Sequence, residues 1–528
     1  MNLHQANADR IPGGDPYQNE NALRLRDNPI APGLEKQMHL SVSNPQNDRA
    51  AFAPALTAAA FALLAFLAPS HAQDAASALQ DTAAEPAPTL EDLDGKIRLL
   101  ERKLEVKEEE EEKKKTENAT VTAGKDGFSI ISADKESVLK FRFFQHADGR
   151  AFIEEMNETR LANTLLIRRV RPIWEGTLAK YYNFRIMPEL SGTPLILDAY
   201  AEIAYWPEAR LRVGRSKTPF GLERLKSSTD MDFIEFAHPT SLTPNYDLGI
   251  SLLGDFANDA YSYYVGVFNG AVDGTNRDTD INDEKDLIGR VFALPFKNGT
   301  VEPLRGLGIG FAASYGHRQG DSVTTELPAY RTEGQQSFYA SRVVATRAAA
   351  GATAAVSADT GTVRANGDLI RINPQAYWYW GSFGLFGEYV SSTQAVGKGG
   401  SKANVKANLT AEAWNATVSY LVTGESPSFK GLKPRHSVGF GEGGGFGAVE
   451  LLARASQLKA DADAFPRFVN PNSAAKEAFT WSGGLTWYLS RYVKLSVEYA
   501  WTEFKGGAAA GADRVEEKVF FGRLQTVF

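Results

Sequence analysis

The chain has 528 residues, 43% of them hydrophobic, and no cysteine, which excludes disulfide staples and thiolate metal sites. Its 57 basic and 64 acidic residues leave a formal charge of -7, which argues against a general nucleic-acid binder, whose surface must be net positive. A mean hydropathy of -0.29 excludes a stack of membrane helices, and the long run without charge is confined to residues 50–67.

That run, AAFAPALTAAAFALLAFL, follows Arg49 and leads to Pro69, Ser70, His71 and Ala72, with small residues at the two positions that a signal peptidase reads. It contains Pro54 and has no basic stop-transfer cluster behind it, so it reads as the core of a secretory signal peptide over 38–72 rather than a permanent anchor. MHLSVSNPQNDR, beginning at Met38, supplies a mildly basic leading region. The expected start is therefore Met38, and residues 1–37 are expected to be a spurious or disordered extension. Residues 73–89, rich in Ala, Asp, Pro and Thr, read as a disordered linker.

Leu90, Leu93, Ile97, Leu100 and Leu104 recur at alternating spacings of three and four, the seam of a coiled coil. A helix is predicted over 90–115, its final EEEEEKKK carried by charge alone, with a linker at 116–126. So short a heptad array is marginal in isolation and calls for partners; the alternative is a lone amphipathic helix packed beneath the next domain.

From Gly127 to Phe528 the pattern becomes short alternating segments separated by Gly, Asn, Asp and Pro clusters. Val493, Leu495, Val497, Tyr499 and Trp501 share one face, and Lys494, Ser496, Glu498, Ala500 and Thr502 the other. Phe479, Trp481, Leu485, Trp487 and Leu489 likewise lie opposite Thr480, Ser482, Thr486 and Tyr488. One face suits lipid and the other water. Trp378, Trp380, Trp487, Tyr488 and Tyr492 are placed as interfacial girdles would be. The last strand, VFFGRLQTVF, ends on Phe528, like the terminal aromatic of exported barrels. The predicted fold is an all-β transmembrane, antiparallel outer-membrane β-barrel over 127–528, of about 16 strands at roughly 10 residues per strand plus loops. The signal peptide and the coiled-coil helix precede it.

Five stretches, in order, resemble the phosphate-selective porin O and P family: RRVRPIWEG at 168–176, VGRSKTPFGLE at 213–223, LVTGE at 421–425, GAVELLAR at 447–454 and LTWYLSRYVKL at 485–495, closed by LQTVF. The resemblance covers essentially all of 127–528. It implies a homotrimer of 16-stranded barrels in the outer membrane of a Gram-negative bacterium, whose pores pass inorganic phosphate or other small anions. It also implies that the segment after Glu223, RLKSSTDMDFIEFAHPTSL, folds into the pore as a constriction loop.

Anion passage requires a row of moderately spaced cations, so that an ion hops between weak sites instead of settling in one, and guanidinium forks replace phosphate hydration best. Alternation puts Arg169 and Arg171 on the lumen face with Glu175, and Arg168 on the lipid face with Trp174 and Leu178. Arg142 and Arg212 lie opposite apolar neighbours and are lumen candidates, as are Arg185, Arg454 and Lys494. Arg215 and Lys217 fall in the family motif, and Arg224 and Lys226 in the constriction loop. That loop also carries Asp230, Asp232 and Glu235, which would offset the cations and make a general-diffusion porin with weak ion selectivity the alternative. An outer-membrane barrel enzyme is the remote third reading. No GxSxG element, P-loop, dinucleotide fingerprint or HExxH is present, and no cofactor, metal or catalytic residue is expected. Residues 275–286 hold oxygen ligands but lack the spacing of a calcium loop.

Overall fold

A computed structural model describes residues 89–124, 127–153, 161–277, 283–321, 323–343, 361–399, 405–439 and 444–528. The extension 1–37, the signal peptide 38–72 and all but the last residue of the linker 73–89 lie outside the described residues, as do residues 278–282 of the candidate oxygen-ligand loop.

The predicted helix is present as α1 (Leu90–Glu117). Thr89 caps it, its hydroxyl 3.3 Å from the Asp92 amide while the Asp92 carboxylate accepts from the Thr89 amide at 3.1 Å. The helix runs two residues beyond the expected end at 115. The segment expected as a linker over 116–126 contains strand β1 (Thr120–Gly124), which forms a hairpin with β2 (Gly127–Ile131). Thr120, Val121 and Thr122 favour extended backbone, and Gly127 turns the chain with a φ of +89°.

Sixteen strands make the barrel. The first nine are β3 (Val138–Phe152), β4 (Thr164–Leu178), β5 (Tyr182–Glu189), β6 (Leu195–Trp206), β7 (Ala209–Lys217), β8 (Tyr246–Phe256), β9 (Tyr261–Phe268), β10 (Asp286–Ala293) and β11 (Leu307–Gln319). A small separate hairpin follows, β12 (Ala329–Arg331) and β13 (Ser337–Ala340). The barrel resumes with β14 (Val363–Trp380), β15 (Phe383–Lys398), β16 (Val405–Leu421), β17 (Ala448–Lys459), β18 (Ala475–Tyr488), β19 (Val493–Gly506) and β20 (Glu517–Val527). Each barrel strand pairs antiparallel with the next, and β20 closes on β3 with Phe521 opposite Arg150 and Val527 opposite Phe144. Closure removes every sheet edge, which is what allows strands to cross a bilayer. The strand β2 takes over from β20 along the rest of β3. Phe128, Phe141 and Phe143 surround the Phe528 ring there, at centroid distances of 5.8–6.0 Å.

The burial pattern is inverted relative to a water-soluble sandwich. On β18 and β19, Trp481, Leu485, Leu495 and Val497 point outward and are exposed, while Thr480, Ser482, Ser496, Glu498 and Thr502 point inward and are buried. The alternation expected for these strands is therefore the lipid and lumen alternation. Tyr488 is a correction to the girdle: it faces the lumen, and its hydroxyl donates to Glu450 at 2.8 Å.

The two ends of the barrel differ. At the end holding the start of β3 and Phe528, β4–β5, β6–β7, β8–β9, β14–β15 and β18–β19 are joined by tight turns, whereas residues 422–447 form a long connection. At the other end run long loops, including 218–245 and 320–362. Within the lumen on that side, inward residues of β15–β19 are apolar: Val390, Leu409, Ala411, Ala413, Leu458, Ala478 and Phe504 form one core with Tyr330, Phe338 and Tyr339 of the β12–β13 hairpin and with Leu242. The loops are thus packed into the barrel hydrophobically, as well as by polar contacts.

Candidate functional site: a cation-rich chamber in the lumen

Residues 218–245, between β7 and β8, cross the lumen as the expected constriction loop. The backbone amides of Leu222 and Glu223 donate to the Glu388 carboxylate on β15 at 2.7 and 3.0 Å. The Ile234 amide donates to Glu498 on β19 at 2.6 Å, and the His238 amide to Ser456 on β17 at 3.0 Å. On the facing wall, Arg171 of β4 donates to the Ser228 hydroxyl at 2.9 Å. Buried backbone donors are thereby satisfied by the walls, which fixes the loop across the pore.

Three of the loop's four carboxylates are consumed in holding it, and Asp230 is left at its tip. Glu235 accepts from both Arg150 and Arg168 at 2.8 Å. Asp232 accepts from Lys226 at 2.7 Å. Glu223 accepts from Arg454 at 3.2 Å, and Arg454 also reaches Glu333, between β12 and β13, at 2.8 Å. Arg168 is a correction: it faces the lumen, not lipid. Opposite β3, His146 pairs with Arg169 and Ala147 with Ile167, so Arg168 is the extra residue of a β-bulge. The bulge turns its side chain inward beside Arg169 and Arg171.

Between the loop and the tight-turn end lies a chamber of about 530 Å³. Its walls are Ser227–Asp230 of the loop, Lys430–Lys433 of the long connection, and inward residues of the barrel. Gly431 sits against the loop tip with φ +83°, where a Cβ would come within 2.6 Å of Asp230 Oδ1, so loop and connection meet closely. Arg142, Arg171, Arg185, Arg212, Lys217 and Lys494, six of the expected residues, line this chamber. Lys430, Lys433 and Arg491 join them, and the lining carboxylates are Asp198 and Asp230. With Glu175, Glu189 and Glu202 behind the arginines counted as well, nine cations meet five carboxylates, which leaves the space net positive.

Four arginines of this set, Arg142, Arg171, Arg185 and Arg212, are already paired. Arg142 and Arg185 share Glu175 at 2.9 and 2.8 Å, and Arg185 also reaches Asp198 at 2.9 Å. Arg212 pairs with Glu202 at 2.7 Å and stacks on Tyr200 at 4.1 Å; Arg171 pairs with Glu189 at 2.8 Å. The lysines are different. Lys217 donates to the Lys226 carbonyl at 2.6 Å and Lys494 to the Met231 carbonyl at 3.3 Å. Neither they nor Lys430, Lys433 and Arg491 have a carboxylate within ion-pair range among the described residues. A neutral carbonyl accepts the ammonium's hydrogen bond without cancelling its charge as a carboxylate would.

The remaining expected residues lie elsewhere. Arg169, nearer the long-loop end, is 2% exposed, with Nη1 3.2 Å from His146 Nδ1. Arg224 stacks on Phe236 at 4.7 Å and donates to the Thr240 carbonyl at 2.9 Å. Lys226 and Arg454 belong to the loop's ion pairs, and Arg215 is buried in β7 outside the chamber lining. Sequence reasoning missed Lys430, Lys433 and Arg491 because turn residues carry no inward or outward period. The usable signal was the length of 422–447 with its KGLK.

Sixteen closed strands around a polar lumen crossed by an inward loop define a porin-type channel. The sequence profile of the phosphate-selective porin O and P family matches residues 140–528, and the chain belongs to that family: it is an outer-membrane porin, a channel rather than an enzyme. Among solved structures, the chain is similar to a loop-deletion mutant of OmpT from Vibrio cholerae (9% identity, 74% of this chain and 100% of that one, TM-score 0.46). It is also similar to the outer-membrane channel DcaP of Acinetobacter baumannii (10%, 77% and 100%, 0.46) and to Salmonella typhi OmpF in complex with daunomycin (12%, 74% and 98%, 0.45). No curated protein sequence matches significantly.

Proposed function

We propose that this porin is a passive, anion-preferring channel that admits phosphate or related oxyanions such as pyrophosphate and polyphosphate. The observation that carries the reading is the chamber, where five cations without carboxylate partners among the described residues face a shared space beneath the constriction loop. Multivalent oxyanions gain most from such a field because interaction energy scales with charge. The carbonyl-held lysines of the wall and the arginines beside them form a series of weak sites, as rapid passage requires.

The rest of the reading follows from this assignment. The tight-turn end faces the periplasm, as in outer-membrane barrels generally, so the chamber is the periplasmic vestibule. The barrel assembles as a homotrimer in outer-membrane lipid of a Gram-negative bacterium, and α1 lies on the periplasmic side. Residues 38–72 direct export, and residues 1–37 are a spurious or disordered extension.

A second reading, a general-diffusion porin with weak ion selectivity, is favoured by the pairing of Arg142, Arg171, Arg185 and Arg212 with carboxylates. Single-channel conductance in chloride, with inorganic phosphate titrated in, separates the two. The proposed function predicts that phosphate blocks chloride current well below the chloride concentration. Chloride current that falls only when phosphate rivals chloride in concentration supports the general porin.

A further inference from the structure

The helix α1 displays an apolar seam with nothing over it among the described residues: Leu90, Leu93, Ile97, Leu100 and Leu104 are between 43% and 87% exposed. In heptad letters Leu90, Ile97 and Leu104 occupy a, and Leu93 and Leu100 occupy d. Gly95 within the helix lowers its intrinsic stability by about 1 kcal/mol relative to alanine. A helix of this kind is kept by what its seam packs against.

The flanks of the seam specify the occupant. The e positions hold Asp94, Glu101 and Glu108, all acidic, and the g positions after the first hold Lys96 and Lys103, both basic. Among the described residues, two ion pairs form within the helix, Arg98 with Asp94 at 2.8 Å and Arg102 with Glu105 at 3.6 Å. They leave Lys96, Lys103, Glu101 and Glu108 without ion-pair partners among the described residues. In a parallel coiled coil each g residue faces the e residue of the following heptad on the neighbouring helix. Lys96 then meets Glu101, and Lys103 meets Glu108. Asp94, whose g counterpart would be the uncharged Thr89, is the e residue that is satisfied within its own helix. An antiparallel arrangement sets g against g and e against e, lysine on lysine and glutamate on glutamate, which charge repulsion opposes.

We infer that α1 associates with copies of itself as a parallel, in-register coiled coil, with Lys96 and Lys103 of each chain paired to Glu101 and Glu108 of the next. This rests on the homotrimer reading and adds to it the surface, the orientation and the register. The seam ends at Lys107, which stands where the next d residue belongs, so the contact is a short clamp of two and a half heptads.

The chain has no cysteine, so single thiols report the arrangement in the full protein. Leu93→Cys and Leu104→Cys are prepared separately and together as a mixture, then treated with a mild oxidant. The expected result is a disulfide-linked dimer from each variant alone. Linkage that appears only in the mixture overturns the parallel register, and a purified trimer with no linkage overturns helix pairing while leaving the trimer standing. A monomer by mass overturns both. Within Leu104→Cys, adding Lys96→Glu and Lys103→Glu should lower the linked fraction severalfold. The further exchange Glu101→Lys and Glu108→Lys should restore it; failure to restore rejects the assigned pairs.

Discussion

The two halves of the lumen solve opposite problems with the same residue types. Toward the long loops, arginines and carboxylates cancel: Arg454 is bracketed by Glu223 and Glu333, and Glu235 by Arg150 and Arg168. An apolar core runs between the inner wall and the β12–β13 hairpin. Toward the tight turns, Lys217, Lys494, Lys430, Lys433 and Arg491 stand around open space with no such cancellation. The first half uses charge as structure and the second leaves it available to solute. A count of charged residues along the strands cannot separate these uses, because what differs is whether a loop carboxylate arrives.

The packed half is weakened most by losing Arg454. Replacing it by Met leaves Glu223 and Glu333 buried without their cation, a cost of about 3–5 kcal/mol for a broken buried pair. Arg454→Met is expected to loosen the loop and hairpin, seen as noisier single-channel current with a shifted conductance; quiet, unchanged current would show that the packed half does not depend on this pair. Next come the chamber lysines. Changing Lys217, Lys430, Lys433 and Lys494 together to Gln removes roughly 0.6 kcal/mol per charge for a monovalent ion at about 7 Å, even at the dielectric constant of water. The anion-to-cation permeability ratio should therefore fall by more than about tenfold.

A smaller effect of opposite sign is expected at Glu235. Glu235→Gln frees Arg150 and Arg168 and should raise anion preference by about threefold, the value of one charge at a similar distance. Acid does not substitute for the mutation. Burial alone would raise the Glu235 carboxyl, but Arg168, with Arg169 and Arg150, more than offsets this and holds it down at about 2. A carboxyl lowered on folding contributes stability above its ordinary value, and loses it only as pH falls toward its folded value. Between pH 7 and pH 4 this pairing should persist, so the Glu235→Gln gain in selectivity should be absent from the unmutated channel at pH 4. The smallest effect belongs to the outer surface: Lys505 pairs with Glu477 at 2.8 Å but is largely exposed. Lys505→Gln should cost no more than about 0.5 kcal/mol in denaturant unfolding and leave the permeability ratio unchanged.

Most of the barrel was legible because its signal is periodic. The alternation on β18 and β19 assigned lipid and lumen faces correctly, and the family motifs placed the constriction loop. What period two could not give was a departure from it, the bulge that turns Arg168 inward; Tyr488 keeps the period, on the face of Thr480, Ser482 and Thr486, and only its placement in the girdle was wrong. The apolar inner face of β16, with Leu409, Ala411 and Ala413, was written in the sequence. It identifies itself as a loop-packing surface only once the hairpin is known to cover it. Of the expected anion pathway, six residues share the chamber, whereas Arg169, Arg215, Arg224, Lys226 and Arg454 lie outside it. Whether an inward arginine is free or paired depends on contacts between residues hundreds of positions apart, such as Arg454 and Glu223.

On the proposed function, uncancelled cations at the tight-turn end give the channel its anion preference. The direct test is the zero-current potential of the unmutated porin in a planar bilayer across a tenfold potassium chloride gradient. The expected potential has the sign set by chloride permeation; a potential near zero, or one of the sign set by potassium, rules out an anion preference.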